Sequence, residues 1–264
     1  MKIVVSILFS LMLGIVLNIN AQETVPCQKS KSCETPCGLK EGEKNMTKRV
    51  GSLIKVRPEY EERYIILHKH TFPGVLSRIH KSNIRNYSIF LLDGMLFSHF
   101  EYVGNDFDGD MKAIADETTR EWWKLTDPMQ EPLETRKEGE WWAEMELLMC
   151  FDKIVKPSPG ARRIGLVGEI LPNKEEAVRE FFKNYPMDIE PDVNKANIQN
   201  SNFYFKDGKI YFYYEYVGSD LRNDIVGLIQ RNEVFKKSQD DLNNYLVQTG
   251  DGPWKVMTEV FHTD

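Results

Sequence analysis

Two stretches of this sequence repeat each other at a constant offset of 114 residues, with no gap between them. Phe100-Glu101-Tyr102-Val103-Gly104 recurs as Tyr214-Glu215-Tyr216-Val217-Gly218. Asp93-Gly94 recurs as Asp207-Gly208, Asn86 as Asn200, and Pro58 as Pro172. Two copies are too few for a solenoid, so the pattern points to one domain duplicated in tandem. The copies are expected at 50–152 and 161–264. They are joined over 153–160, which carries Pro157 and Pro159. The length of 264 residues, at about 150 residues per domain, agrees with two.

Each copy shows one element order. In the first, Leu53–Val56 reads as a strand, and Pro58 opens a helix, where its missing N–H costs nothing. Tyr60–His70 reads as helix, and Val75, Leu76 and Ile79 form a second helical stripe after Phe72-Pro73. Ile84–Leu92 and Met95–Val103 are strands around Asp93-Gly94, a favoured two-residue hairpin turn. Met111–Leu125 reads as helix and Trp141–Cys150 as a last strand. This βαββαβ order is the ferredoxin-like one. The fold class expected is α+β: two tandem ferredoxin-like domains whose open sheet faces pack as an intramolecular, pseudo-dimeric α+β barrel.

The N-terminus reads as a targeting segment. Lys2 precedes an apolar run from Ile3 to Leu17, followed by Asn18-Ile19-Asn20-Ala21 before Gln22. The run is shorter than the ~20 residues a spanning helix needs. It reads as a signal peptide over 1–21, cleaved after Ala21. The mature chain is then exported, periplasmic or secreted, with no membrane partner. Residues 22–49 read as a cysteine-containing linker with Pro26, Pro36 and Gly38. Cys27, Cys33, Cys37 and Cys150 are expected in disulfides in such a compartment, and three full pairings are open. Asn45-Met46-Thr47 is a glycosylation sequon, relevant in a eukaryotic source. The net charge of −6 provides no electrostatic footprint for nucleic acid.

The chemistry concentrates in the first copy. Tyr64 and His68 stand four apart on one helix face. Phe72-Pro73, Asn86-Tyr87-Ser88-Ile89, Phe97-Ser98-His99-Phe100-Glu101 and Trp122-Trp123-Lys124 follow in order. This succession resembles the L-rhamnose mutarotase family, whose motifs are Tyr-x-x-x-His, aromatic-Pro, Asn-Tyr-x-Ile, Phe-x-x-x-Glu and Trp-Trp-Lys. The resemblance implies a metal-free, cofactor-free isomerase that interconverts the α and β anomers of L-rhamnose or a related 6-deoxyhexose. It places the acid/base at His68 and substrate contacts at Tyr64, Phe72, Tyr87, Trp122 and Trp123. Glu101 is added as a group that accepts a sugar hydroxyl or holds His68. The chemistry suits these types: an imidazole can take or return a proton near neutral pH, and indoles offer a flat apolar wall to a deoxysugar.

The departures and bland readings bear on this. Phe72 stands where the family usually has Trp, and Lys69-His70 where it has Asn-Pro. At the 114-residue offset, Tyr64 becomes Val178, His68 becomes Phe182 and Tyr87 becomes Ser201, so the second copy has lost the site. Adjacent Trp122 and Trp123 point about 100° apart on a helix, so they cannot share one pocket equally. Glu101 persists as Glu215 in the copy without the histidine, which favours a structural role. His68 and His70 diverge too far on a helix to chelate one ion. Asp106, Asp108, Asp110 and Glu117 mimic a calcium loop, but Met111 stands where that loop needs Gly. Two rivals from other classes are a non-catalytic sugar- or partner-binding module on the same fold and a cofactor-independent monooxygenase.

Overall fold

The computed structural model describes residues 47–151 and 160–264. The expected signal peptide, most of the linker with Cys27, Cys33 and Cys37, Asn45 of the sequon and the joint up to residue 159 lie outside the described residues. Cys150 is disulfide-bonded. No described helix is long and apolar enough to cross a membrane.

The first half runs β1 (Lys48–Val56), α1 (Glu61–Lys69), α2 (Pro73–Lys81), β2 (Ile84–Leu92) and β3 (Met95–Tyr102). It continues with α3 (Phe107–Ala113), α4 (Glu117–Thr126), β4 (Gln130–Glu131), β5 (Ala143–Glu144) and β6 (Glu146–Cys150). The second half repeats the order as β7 (Arg162–Glu169), α5 (Glu175–Lys183), α6 (Glu190–Lys195), β8 (Ile198–Lys206), β9 (Lys209–Tyr216), α7 (Leu221–Arg231), α8 (Glu233–Asn243) and β10 (Trp254–Thr263). Strand β1 thus starts inside the expected linker.

Local chemistry sets these bounds. Asp93 and Gly94 take φ of 50° and 74°, and Asp207 and Gly208 take 49° and 71°. Positive φ at both central residues is the two-residue hairpin geometry that matches strand twist. The helix expected over Met111–Leu125 splits in two. Asp106 accepts a hydrogen bond from the Gly109 N–H and Asp116 one from the Thr119 N–H, so each caps its own helix. These acids serve helix ends and turns: Asp110 accepts from the Tyr102 hydroxyl at 2.7 Å and Asn83 Nδ2 at 2.8 Å. Among the described residues, no group of three His, Cys, Asp or Glu side chains could hold a metal ion.

The strands form one antiparallel sheet in the order β4-β1-β3-β2-β10-β7-β9-β8-β6, with β5 also on β1. Strand β10 joins the two halves, pairing with β7 through Trp254–Met257 and with β2 through Thr258–Thr263. The expected single strand Trp141–Cys150 breaks for the matching reason. Its start (β5) pairs with β1 and its end (β6) with β8. Each half therefore lends its last strand to the other and the sheet curls round until the pairing ring closes. Met149 lies opposite Phe203 as Phe261 lies opposite Ile89, and 89 and 203 again differ by 114.

The curled sheet encloses one core and helices cover two more. Leu53, Phe90, Phe97, Tyr204, Tyr211 and Tyr213 fill the interior. Two glycines permit the approach of the inner faces. A Cβ on Gly51 would lie 2.6 Å from the Tyr204 ring, and one on Gly165 2.7 Å from the Phe90 ring. Outside the sheet, helices of the first half cover Ile54, Tyr64, Ile79, Leu96 and Trp122. Those of the second half cover Leu166, Val178, Phe182 and Leu228.

Candidate active site

Helix α1 presents Tyr64 and His68 to the sheet, and both are buried. Their rings stack at 3.9 Å between centroids. His68 Nδ1 lies 2.9 Å from the Tyr64 carbonyl oxygen. A carbonyl only accepts, so Nδ1 carries the proton and Nε2 keeps its lone pair. Burial pushes the His68 pKa down to about 4, with the hydrogen bond to Tyr64 opposing it. The ring is neutral at pH 7 and Nε2 is a base.

Aromatic rings wall this imidazole. Trp122 of α4 meets it edge-on at 5.3 Å and Phe261 of β10 at 5.8 Å. Phe72 packs on Trp122 at 5.2 Å, and Tyr87 of β2 on Phe261 at 5.4 Å. Burial drives the Tyr64 hydroxyl pKa well up, aided by nearby Tyr87, and pushes Tyr87 up to about 12. Both phenols are therefore protonated donors at neutral pH. Gln130 Nε2 stands 3.5 Å from the Tyr64 hydroxyl, and Gln130 Oε1 accepts from the Trp141 indole N–H at 2.8 Å.

Five of the seven residues expected here come together: Tyr64, His68, Phe72, Tyr87 and Trp122. Two do not. Trp123, one helix step from Trp122, turns toward a cleft with Arg57, Arg120, Lys124 and Trp141. Glu101 lies on the other face of the sheet because strand neighbours alternate: Phe97 packs inward while Leu96 faces the helices. Glu101 Oε1 accepts from Asn86 Nδ2 at 3.1 Å and Asn200 Nδ2 at 2.6 Å, and His99 Nε2 lies 3.7 Å away. It neither touches nor orients His68. Glu215 Oε1 mirrors it, accepting from Asn86 at 2.6 Å, Asn200 at 2.9 Å and the Tyr213 hydroxyl at 3.0 Å. Burial alone pushes the Glu101 carboxyl up, but His99, Arg49 and Asn200 outweigh it and hold it below the usual range.

Phe261 and Gln130 are site residues that sequence reasoning missed. Phe261 comes from the far half, through a strand exchange that no local motif announces. Gln130 follows the Trp-Trp-Lys motif by six residues and had no signal of its own. The equivalent place in the second half is filled. Val178 and Phe182 sit where Tyr64 and His68 do, and Phe182 packs on Phe203 at 4.9 Å.

Residues 49–150 match the L-rhamnose mutarotase family, a span that holds every expected site residue but not Phe261. No curated protein matches the chain. Among solved structures, a protein provisionally called a monooxygenase from Fusobacterium nucleatum subsp. nucleatum is similar at TM-score 0.50 and 12% identity, covering 84% of this chain and 96% of that one. Another so called, from Lactobacillus acidophilus, is similar at TM-score 0.50 and 8% identity, covering 83% and 96%. At such identities the likeness is one of fold. The class defined is an α+β protein with a curled antiparallel sheet, of the dimeric α+β barrel type. Within it, residues 49–150 carry the mutarotase-family match.

Proposed function

We propose that this chain is an aldose mutarotase acting on L-rhamnose or a related 6-deoxyhexose, with one site per chain at His68. The match over 49–150 supports a sugar-related function. The observation that carries the finer reading is the imidazole: neutral, Nδ1 tied to the Tyr64 carbonyl, and Nε2 left as a base among aromatic walls.

In this reading Nε2 takes the anomeric hydroxyl proton as the C1–O5 bond opens. A protonated phenol, Tyr64 or Tyr87, supplies a hydrogen bond and proton to the ring oxygen. The aldehyde turns, and as the ring closes on the other carbonyl face the tyrosinate takes the O5 proton back and the imidazolium returns its proton to the new anomeric oxygen. Trp122, Phe72 and Phe261 exclude water and receive the C–H face and 6-methyl group. No metal or organic cofactor enters the scheme.

The proposal extends to the whole chain. The repeat, with bulge asparagines, hairpin turns and the first three strands of each half shifted by 114 residues, supports tandem domains at 50–152 and 161–264 that act as an intramolecular pair. The N-terminal apolar run and the Cys150 disulfide support export to the periplasm or outside.

Saturation-transfer NMR on the anomeric protons of L-rhamnose tests the activity, with L-fucose and D-glucose alongside. Acceleration of α/β exchange that His68→Ala removes is the expected result. A folded protein that is stabilised by sugar without accelerating exchange would place it among binding modules. Oxygen consumption with aromatic substrates would instead favour the monooxygenase class.

A further inference from the structure

Beside the His68 cluster lies a concavity of about 620 Å³. Its walls are Arg57, Arg120, Trp123, Lys124, Asp127 and Trp141. Two prolines, Pro128 and Pro132, and Gln130 complete it. Three cations and one carboxyl line it, and two of the cations are paired with carboxylates at its rim. Arg57 and Lys124 meet Glu131 at 3.3 Å and Glu121 at 2.5 Å, in solvent-exposed pairs. Such pairs are weak and a ligand anion can compete for them. Arg120 makes no ion pair among the described residues, so its guanidinium is free to take a carboxylate side-on.

The rest of the lining is not that of a simple anion site. Trp123 adds one indole, and Trp141, 45% exposed, adds a second. Its N–H is already engaged by Gln130, so the ring offers its apolar surface. Indoles beside guanidinium and ammonium groups suit a ligand with a C–H face and a carboxylate on one ring.

We propose that this cleft binds a hexuronate unit, stacked on an indole of Trp123 or Trp141 with its carboxylate on Arg120 and Lys124. Gln130 lines the cleft and also reaches the Tyr64 hydroxyl, so the cleft adjoins the His68 cluster. An acidic sugar in the cleft would thus lie next to any sugar bound at His68. That the two belong to one saccharide rests on the mutarotase reading; uronate binding does not.

The test follows the indole N–H signals of the chain's five tryptophans by NMR, assigned with Trp123→Phe and Trp141→Phe. D-galacturonate, D-galactose and acetate are titrated separately. D-galacturonate is expected to shift Trp123 and Trp141 while sparing Trp254, which lies outside the cleft. Affinity is expected to fall about tenfold for D-galactose and for Arg120→Gln, as for loss of one charge-assisted contact. Equal binding of D-galactose, or no loss in Arg120→Gln, would overturn the carboxylate assignment. Acetate binding as tightly as D-galacturonate would overturn the sugar, and unshifted Trp123 and Trp141 would overturn the site. Each readout stands whether or not the chain accelerates anomer exchange.

Discussion

His68 carries the sharpest consequence at the scale of one residue. Its folded pKa of about 4 lies below the ordinary histidine value of 6.5. A base depressed by folding binds fewer protons in the native state, so its contribution is complete above pH 6.5 and is lost as pH falls toward 4. A shift of that size amounts to about 3 kcal/mol. Urea unfolding from pH 7 to pH 4 is expected to show a loss of this order, and His68→Gln to flatten it. An equal decline in the variant would assign the loss to other groups. Activity has the same origin: kcat/KM is expected to hold below pH 6 and to fall only as Nε2 is protonated near pH 4. Tyr87→Phe removes one phenol donor and keeps its packing on Phe261. It is expected to slow exchange by about 10² while leaving unfolding nearly unchanged. An undiminished rate would exclude Tyr87 from the proton path.

The elements show why the interior acids are structural. Asn86 and Asn200 adopt φ of 49° and 50° where the strand register slips, at equivalent bulges of β2 and β8. Asparagine tolerates this left-handed geometry. The bulges let both amides reach inward, and each donates to both Glu101 and Glu215. Asn200→Ala removes two such donors from the interior and is expected to cost about 2–3 kcal/mol in denaturant unfolding. A loss below ~0.5 kcal/mol would mean the amides are dispensable. The sequence made parts of this legible. The hairpin dipeptides fixed β2, β3, β8 and β9, and the Tyr-x-x-x-His spacing alone put two site residues on one face. It hid others for physical reasons. The Asp116 cap that splits the second helix competes with a continuous apolar stripe. Glu101 looked close to His68 because motif order says nothing of which sheet face a residue occupies. Phe261 depends on pairing between strands far apart in the chain. Phe261→Ala tests that long-range wall: water admitted beside His68 is expected to raise its pKa from about 4 toward 6.5, followed by imidazole NMR. An unmoved titration would show that the other walls suffice.

At the scale of the whole molecule, strand exchange decides what can fold alone. Strand β2 borrows β10 from the second half and β8 borrows β6 from the first. Residues 47–151 expressed separately would expose β2 as an unpaired, apolar edge while their own β6 had no β8 to join. Uncovered edges seek partners. The inner face would also be bare, since Tyr204 packs over Gly51 and Asn200 and Tyr204 meet Glu101 and His99 from the other half. A second copy of the same piece can supply both needs: its β6 can lie on β2 in the register that β6 takes on β8, and its Phe90 can cover Gly51 as Phe90 covers Gly165 here. The isolated piece is therefore expected to be a homodimer or an aggregate in sedimentation velocity, never a folded monomer. In the dimer each His68 would face a residue of the partner's β6 in place of Phe261, so two sites would form per pair. A well-folded monomer of 47–151 would show that the exchanged strand is a decoration of a self-sufficient half. Sheet closure in the full chain would then contribute little to either the fold or the His68 site.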